Sequence, residues 1–384
     1  MTISSLSAVR ERNAASVLEI LMNKELSRAE LARVTGLTKS TIGEIVKEMI
    51  KIGILEEREQ VGGNIGRPPV KLGVRKNWAH ILGICVERDN ISVSLIDSRK
   101  NILKTSESIS ENSYQSISDL MERLYGLVDE FCIFSKQQGI KLDAIGIGMP
   151  GPFDPKTGVL KNVPNFPIVE NVSPKALFQS HYKLPVWVGN DADMAALGEH
   201  YFGCGKDMNS FIYVFLDKGI GAGIVINNEL YVGMNGYAGE IGQLLVVTQD
   251  REVFLEDLCS VNAVIKKSCE LGITQSRDLK KLVEMAHKGD TVANEIITET
   301  ARYVGSGILS LIYLFGISNV IIGGELLLLG ELFIKEIKRV IRTHLFHQHN
   351  VNIQISTLGS QAISLGAAMN ALIKYSIRAI KSRR

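Results

Sequence analysis

The chain has 384 residues, 43 Lys and Arg against 41 Asp and Glu for a net charge of +2, and 45% hydrophobic residues. That length exceeds one ordinary core and implies two or three packing units, while the composition excludes a disordered or fibrous chain. No run of about 18 apolar residues occurs and the N-terminus lacks the apolar segment of a signal peptide, so a cytoplasmic protein with no membrane association is expected.

Cys85, Cys132, Cys204, Cys259 and Cys269 are scattered with no C-x-x-C pair, which predicts buried free thiols rather than a disulfide framework or a local zinc site. Residues 1–75 carry 12 Lys and Arg against 9 Asp and Glu. That local excess of positive charge is small, but it lies on the segment whose pattern suggests a DNA reader.

Val17, Leu18, Ile20 and Leu21 recur at helical spacing, and two further helical patterns follow through Glu57. Ser27 with Glu30 predicts a capping box on the second helix, and Thr38 a cap on the third. Ala32, Gly36, Ile42 and Ile45 supply the small contact, the turn glycine and the buried face that a helix-turn-helix requires. The exposed face of the third helix runs through Lys39, Ser40, Thr41, Glu44, Lys47 and Glu48, and its first residues are the ones expected to enter a major groove. Arg28, at the start of the second helix, joins Lys39, Ser40, Thr41 and Lys47 as a candidate DNA contact. The segment LEEREQVGGNIGRPPVKLGV reads as a strand, a glycine-rich tip and a second strand, the pattern of a wing. Arg67 beside Pro68 and Pro69 suits an extended arm carrying a guanidinium into a narrow minor groove, and equally a stiff linker.

From His80 two strands and a third form a meander, followed by a helix over about Ser116 to Lys136, a buried strand ending in MPGP, and a strand running into a helix at GNDADMAALGE. The pattern then partly restarts with SFIYVFLDKGIGAGIV and ends with the strands NVIIGGE and VNIQIST and a closing helix from Ala362. A sheet-and-helices unit used twice predicts an α/β, two-lobed, actin-like or sugar-kinase-like (ribonuclease H-like) fold behind a winged helix-turn-helix. The expected divisions are 1–75 for the reader, 76–190 for the first lobe and 191–384 for the second, with the last helix able to return to the first lobe.

GIGMPGPFDPKTGVL with Asn165 after it, GNDADMAALGE, DKGIGAGIV, GYAGEIGQ and VIIGGE occur in an order that resembles the ROK family of repressors and sugar kinases. The preceding reader is similar to that of the branch of xylose- and N-acetylglucosamine-type repressors. A sugar needs carboxylates and carboxamides on short loops in a partly closed cleft. The resemblance implies that Asn190, Asp191, Glu240 and Glu256 contact the sugar, that Pro150 and Gly151 let backbone approach it, and that Asn165 adds an amide. In a kinase of the family the residue matching Asp191 is the general base, although Asp191 also suits a plain helix cap. Gln243 stands where the family usually has a zinc-binding histidine, and Cys259 alone cannot build a tetrahedral site, so no metal is expected.

Phosphoryl transfer needs a glycine turn for the phosphates and an acid for magnesium. The resemblance implies that Cys85 stands where active kinases of the family have an acid, and Glu87 and Arg88 where they have small residues of the first turn. Gly219, Gly221 and Gly223 survive in the second, and Gly323 and Gly324 resemble the border of a vestigial adenosine pocket. The expectation is therefore a sugar-responsive repressor that binds a palindromic operator as a homodimer or higher oligomer and requires no cofactor. The alternative is an ATP- and magnesium-dependent sugar kinase, of glucokinase or N-acetylglucosamine kinase type, carrying a DNA-binding domain. A constitutive DNA binder would leave Asn190, Asp191 and Glu240 without a reason to occur together.

Overall fold

The computed structural model describes residues 3–58, 70–109, 114–153, 157–161, 163, 165–248, 252–275, 278–346 and 350–382. The chain opens with α1 (Ile3–Asn23), α2 (Arg28–Thr35) and α3 (Lys39–Lys51), then the antiparallel pair β1 (Leu55–Arg58) and β2 (Lys71–Val74). Ser27 and Glu30 form the full capping box, Gly36 ends α2 at φ 69, and the Thr38 hydroxyl accepts from the Thr41 amide. Leu18, Leu31, Ile42, Val46 and Leu72 are fully buried among these elements. The segment between β1 and β2, with Arg67, Pro68 and Pro69, lies outside the described residues.

The first large sheet contains β3 (His80–Val86), β4 (Asn90–Asp97), β5 (Ile102–Ile109), β6 (Ala144–Met149) and β7 (Val186–Asn190), interleaved with α4 (Ile117–Gln137) and α5 (Pro174–Tyr182). After α6 (Asp191–Phe202), the second is built from β8 (Phe211–Leu216), β9 (Ile220–Ile226) and β10 (Glu229–Leu230). A small hairpin, β11 (Leu245–Val247) with β12 (Glu252–Phe254), leads to α7 (Leu255–Cys259), α8 (Val261–Glu270), α9 (Leu279–His287) and α10 (Thr291–Phe315). The second sheet is completed by β13 (Asn319–Gly323), α11 (Gly330–His344) and β14 (Asn352–Ile355), before α12 (Gln361–Lys381) closes the chain.

Strand order is β5-β4-β3-β6-β7 in the first sheet and β10-β9-β8-β13-β14 in the second. In each, an antiparallel meander is extended by two parallel strands. One topology thus occurs twice. Both faces of each sheet are covered, which is why the central strands read as continuous apolar runs. Leu82 and Ile84 face the α4 side and Ile212 and Val214 the α10 side, whereas Ile81, Cys85 and Tyr213 face a shared layer.

That shared layer is α6 against α12. Glycine makes the contact close: a Cβ on Gly83 or Gly146 would strike the carbonyl oxygens of Ser364 or Ala367, and one on Gly366 would strike that of Met194. The closing helix packs on the first sheet, where Ser94 and Ser364 share a buried 2.7 Å hydrogen bond. Its far end reaches the opening helices, with Lys381 paired to Glu11 at 2.7 Å and Trp78 against Tyr375.

The thiols divide: Cys85 and Cys259 are buried, Cys132 and Cys204 half-buried and Cys269 exposed. Cys269 thus departs from the expected burial, because it occupies the penultimate position of α8 rather than that helix's packed face.

Candidate functional site

A cavity of about 390 Å³ opens where the two halves face each other. Pro150 and Gly151 enter it from the loop after β6, Asn190 and Asp191 from the β7–α6 junction, and Gly219 and Gly221 from the β8–β9 turn. Glu240, Gln243 and Glu256 close its other wall, with Phe215 and Tyr237 giving apolar surface.

Local structure explains these placements. Asn190, not Asp191, caps α6: its side-chain oxygen accepts from the amides of Ala192 at 2.9 Å and Asp193 at 3.4 Å. Asp191 is then the first helical residue, near the positive end of the helix dipole, with one oxygen accepting from the Ala192 amide at 2.8 Å. The GEIG segment is pinned because a Cβ at Gly239, which has φ 83, would strike the Ala222 carbonyl oxygen. Glu256 accepts from the Ile220 amide at 2.9 Å, tying α7 to the glycine turn.

Burial raises the Asp191, Glu240 and Glu256 carboxyls above the usual carboxylate range. The Arg88 guanidinium works against this at Asp191 and Glu256, whereas Asp191 and Glu256 add to it at Glu240. Asp193, in the same first turn of α6, rises to about 7 through burial and its neighbours Asp191 and Glu240. The cavity thus offers carboxylates, a carboxamide from Asn190, a second from Gln243 and one guanidinium, a set suited to a ligand rich in hydroxyls.

Other expected site residues lie elsewhere. Asn165 (φ 57) is on an exposed turn and does not line the cavity. Gly223, Gly323 and Gly324 also lie outside it, where a Cβ would strike the Ala192 carbonyl, the Tyr213 hydroxyl or the Leu216 carbonyl. Arg88, Phe215 and Tyr237 line the cavity without having been chosen as ligand contacts from sequence; the only local signal was the proximity of the latter two to the DKGIG and GYAGE segments. Among the described residues, no group of three or more His, Cys, Asp or Glu is placed to hold a metal ion, and Cys259 donates to the Leu255 carbonyl at 3.1 Å.

A second candidate face is the N-terminal turn of α3, where Lys39 and Ser40 are exposed and Thr41 is half-buried, with Lys47 exposed two turns further along the helix. Arg28 is engaged with Glu57 at 2.8 Å. Glu48, expected on the exposed face, turns to Arg10 of α1 at 2.9 Å, on the side of α3 that borders a cavity shared with α1 and α12.

Comparison with known proteins places these features in context. The sequence pattern of the ROK family matches residues 81–374. A xylose repressor of Caldicellulosiruptor bescii is 30% identical over 383 residues, spanning 93% of this chain and 94% of the relative. A solved ROK family transcriptional regulator, a homologue of the Escherichia coli MLC protein, has the same fold with TM-score 0.76 at 24% identity, covering 97% of each chain. A ROK hexokinase from Thermus thermophilus aligns at 26% identity and TM-score 0.66, over 77% of this chain and 98% of its own.

Proposed function

Since the chain belongs to the ROK family, we propose that it is a sugar-responsive DNA-binding repressor of carbohydrate-utilisation genes. In this reading residues 1–75 form a winged helix-turn-helix, 76–190 and 191–384 form two lobes, and a sugar between the lobes sets the affinity for operator DNA. Lys39, Ser40, Thr41 and Lys47 meet the DNA, with Arg28 beside them and Arg67 in the wing. A homodimer would match a palindromic operator, because one recognition helix reads too few base pairs for genomic specificity.

The observation that carries the proposal is α12. Its first turns pack on α6, whose N-terminus presents Asn190 and Asp191 to the cavity, and its last turns pack on α1, where Lys381 pairs with Glu11 and Ile380 borders a cavity shared with α1 and α3. A sugar that draws Asn190, Asp191, Glu240, Gln243 and Glu256 together moves one end of a rigid element whose other end holds the reader. Regulation then requires only that sugar and DNA prefer different arrangements of the same two-state molecule.

The turn does not suit a magnesium polyphosphate. The Ile220 amide is already taken by Glu256, Lys218 is paired with Asp89, and Asp217 accepts from the Glu325 amide at 3.1 Å. Burial raises the Glu87, Asp217 and Glu325 carboxyls, which biases them toward the neutral form that holds magnesium poorly. The kinase reading is favoured by Asp191 in the cavity, where it could act as general base. A nucleotide-coupled assay over pentoses and hexoses decides between them: no sugar phosphate is expected, and stoichiometric product abolished by Asp191→Asn would establish the kinase.

A further inference from the structure

The β3–β4 turn, closed by the Glu87 amide donating to the Asn90 carbonyl at 2.8 Å, carries two adjacent side chains of opposite charge across to the second sheet. Asp89 pairs with Lys218 of the β8–β9 turn. Arg88 enters the cavity that Asp191 and Glu256 also line, and its two terminal nitrogens come within 3.7 and 3.9 Å of where a Cβ on Gly219 would stand. Glu256 lies 3.2 Å from the same point. A cation and an anion from one lobe therefore face an anion and a cation from the other.

We propose that Arg88 is a positioning residue of the sugar site, supplying the positive charge that balances the Asp191 and Glu256 carboxylates lining the same cavity and, with the Asp89–Lys218 pair, clasping the lobes over it. This rests on the sugar-sensing reading above. Arg88 supplies from within the chain the positive charge that keeps a buried carboxylate at this helix N-terminus usable as an acceptor. Burial alone pushes Asp191 toward its neutral form, and Arg88 is the largest influence in the other direction.

Among the described residues, four acidic groups act on Asp191. Glu87 follows Cys85 at the end of β3, Asp217 follows β8, and Glu240 faces the cavity from the opposite loop. Asp193 lies on the same helix. Each repels an ionised Asp191, so the loss of Arg88 is felt most when Asp191 must carry its charge.

The test begins without ligand, with thermal unfolding of the parent, Arg88→Met, Asp191→Asn and the double variant at pH 5 and pH 7.5. Arg88→Met should cost more at pH 7.5 than at pH 5, and at least half of that difference should vanish in the Asp191→Asn background. An equal cost at both pH values, or a difference untouched by Asp191→Asn, overturns the proposal. Calorimetry with D-xylose and D-glucose follows. A sugar that binds the parent should bind Arg88→Met at least about tenfold more weakly, increasingly so as pH falls, with partial rescue in Arg88→Lys. Unchanged affinity and pH profile in Arg88→Met also overturn it. If the parent binds neither sugar, sensing of these sugars fails, while the unfolding comparison still decides the role of Arg88.

Discussion

Asp193 shows how a buried residue beside the cavity should report pH. It is 8% exposed, and burial together with Asp191 and Glu240 holds its carboxyl near 7, Lys374 opposing. The folded protein therefore keeps a proton that the unfolded chain releases at about pH 4, so stability falls as pH rises from about 4 to about 7. Asp193→Asn should match the parent in Tm at about pH 3.5, gain on it as pH rises from about 4, and exceed it by a constant margin above about pH 7; parallel Tm–pH curves would refute the assignment. At this scale the sequence was most informative where the chemistry is local. Ser27 with Glu30 and Thr38 act as caps at the predicted positions. The strand-to-helix junction was legible too, but only coordinates distinguish Asn190 as the cap from Asp191 as the cavity carboxylate. Arg88 could be read as an obstruction in a turn, not as a cavity residue, because Asp191 and Glu256, which line the same cavity, lie more than 100 positions away.

Among the elements, α12 is the one whose role sequence periodicity could least convey. Its amphipathic pattern announces a helix, but its neighbours α6, β3, β6 and α1 come from the whole length of the chain. Its fit to α6 is backbone against backbone at Gly366, so a methyl group cannot be absorbed by a rotamer change. Gly366→Ala should destabilise the fold by roughly 1 to 3 kcal/mol. An unchanged denaturation midpoint would show that this packing is not tight. On α3 the exposed first turn suits DNA phosphates or base edges, and Lys39→Ala should weaken operator binding. If the lost contact is to phosphate, the salt dependence should become shallower by about one unit of slope. Equal affinity and slope would move the DNA contact off this turn. Glu48 could not be placed from its helical position, because Arg10 draws it toward α1.

For the molecule as a whole, the duplicated pattern in the sequence predicts the two sheets of matching topology, since each half repeats the order of meander, crossover and parallel strand. How the halves enclose a cavity was less legible: Glu256 reaches the glycine turn through a helix that follows a small hairpin, while Asn165 stays outside on its turn. In the proposed function, coupling runs through one physical link: α12 joins α6, whose N-terminus borders the cavity, to the opening helix α1. Coupling of about 1 to 3 kcal/mol would change operator affinity roughly 5- to 150-fold without any chemical step. The decisive measurement is the affinity of the full chain for an operator fragment that it selects from random DNA, taken against rising concentrations of pentoses and hexoses with no nucleotide present. The parent should show a change of that size with at least one sugar, whereas Asp191→Ala should keep the sugar-free affinity and require at least about tenfold more sugar for the same change. A parent whose operator affinity is indifferent to every sugar, or an Asp191→Ala variant that responds at the parent's concentrations, would contradict the account.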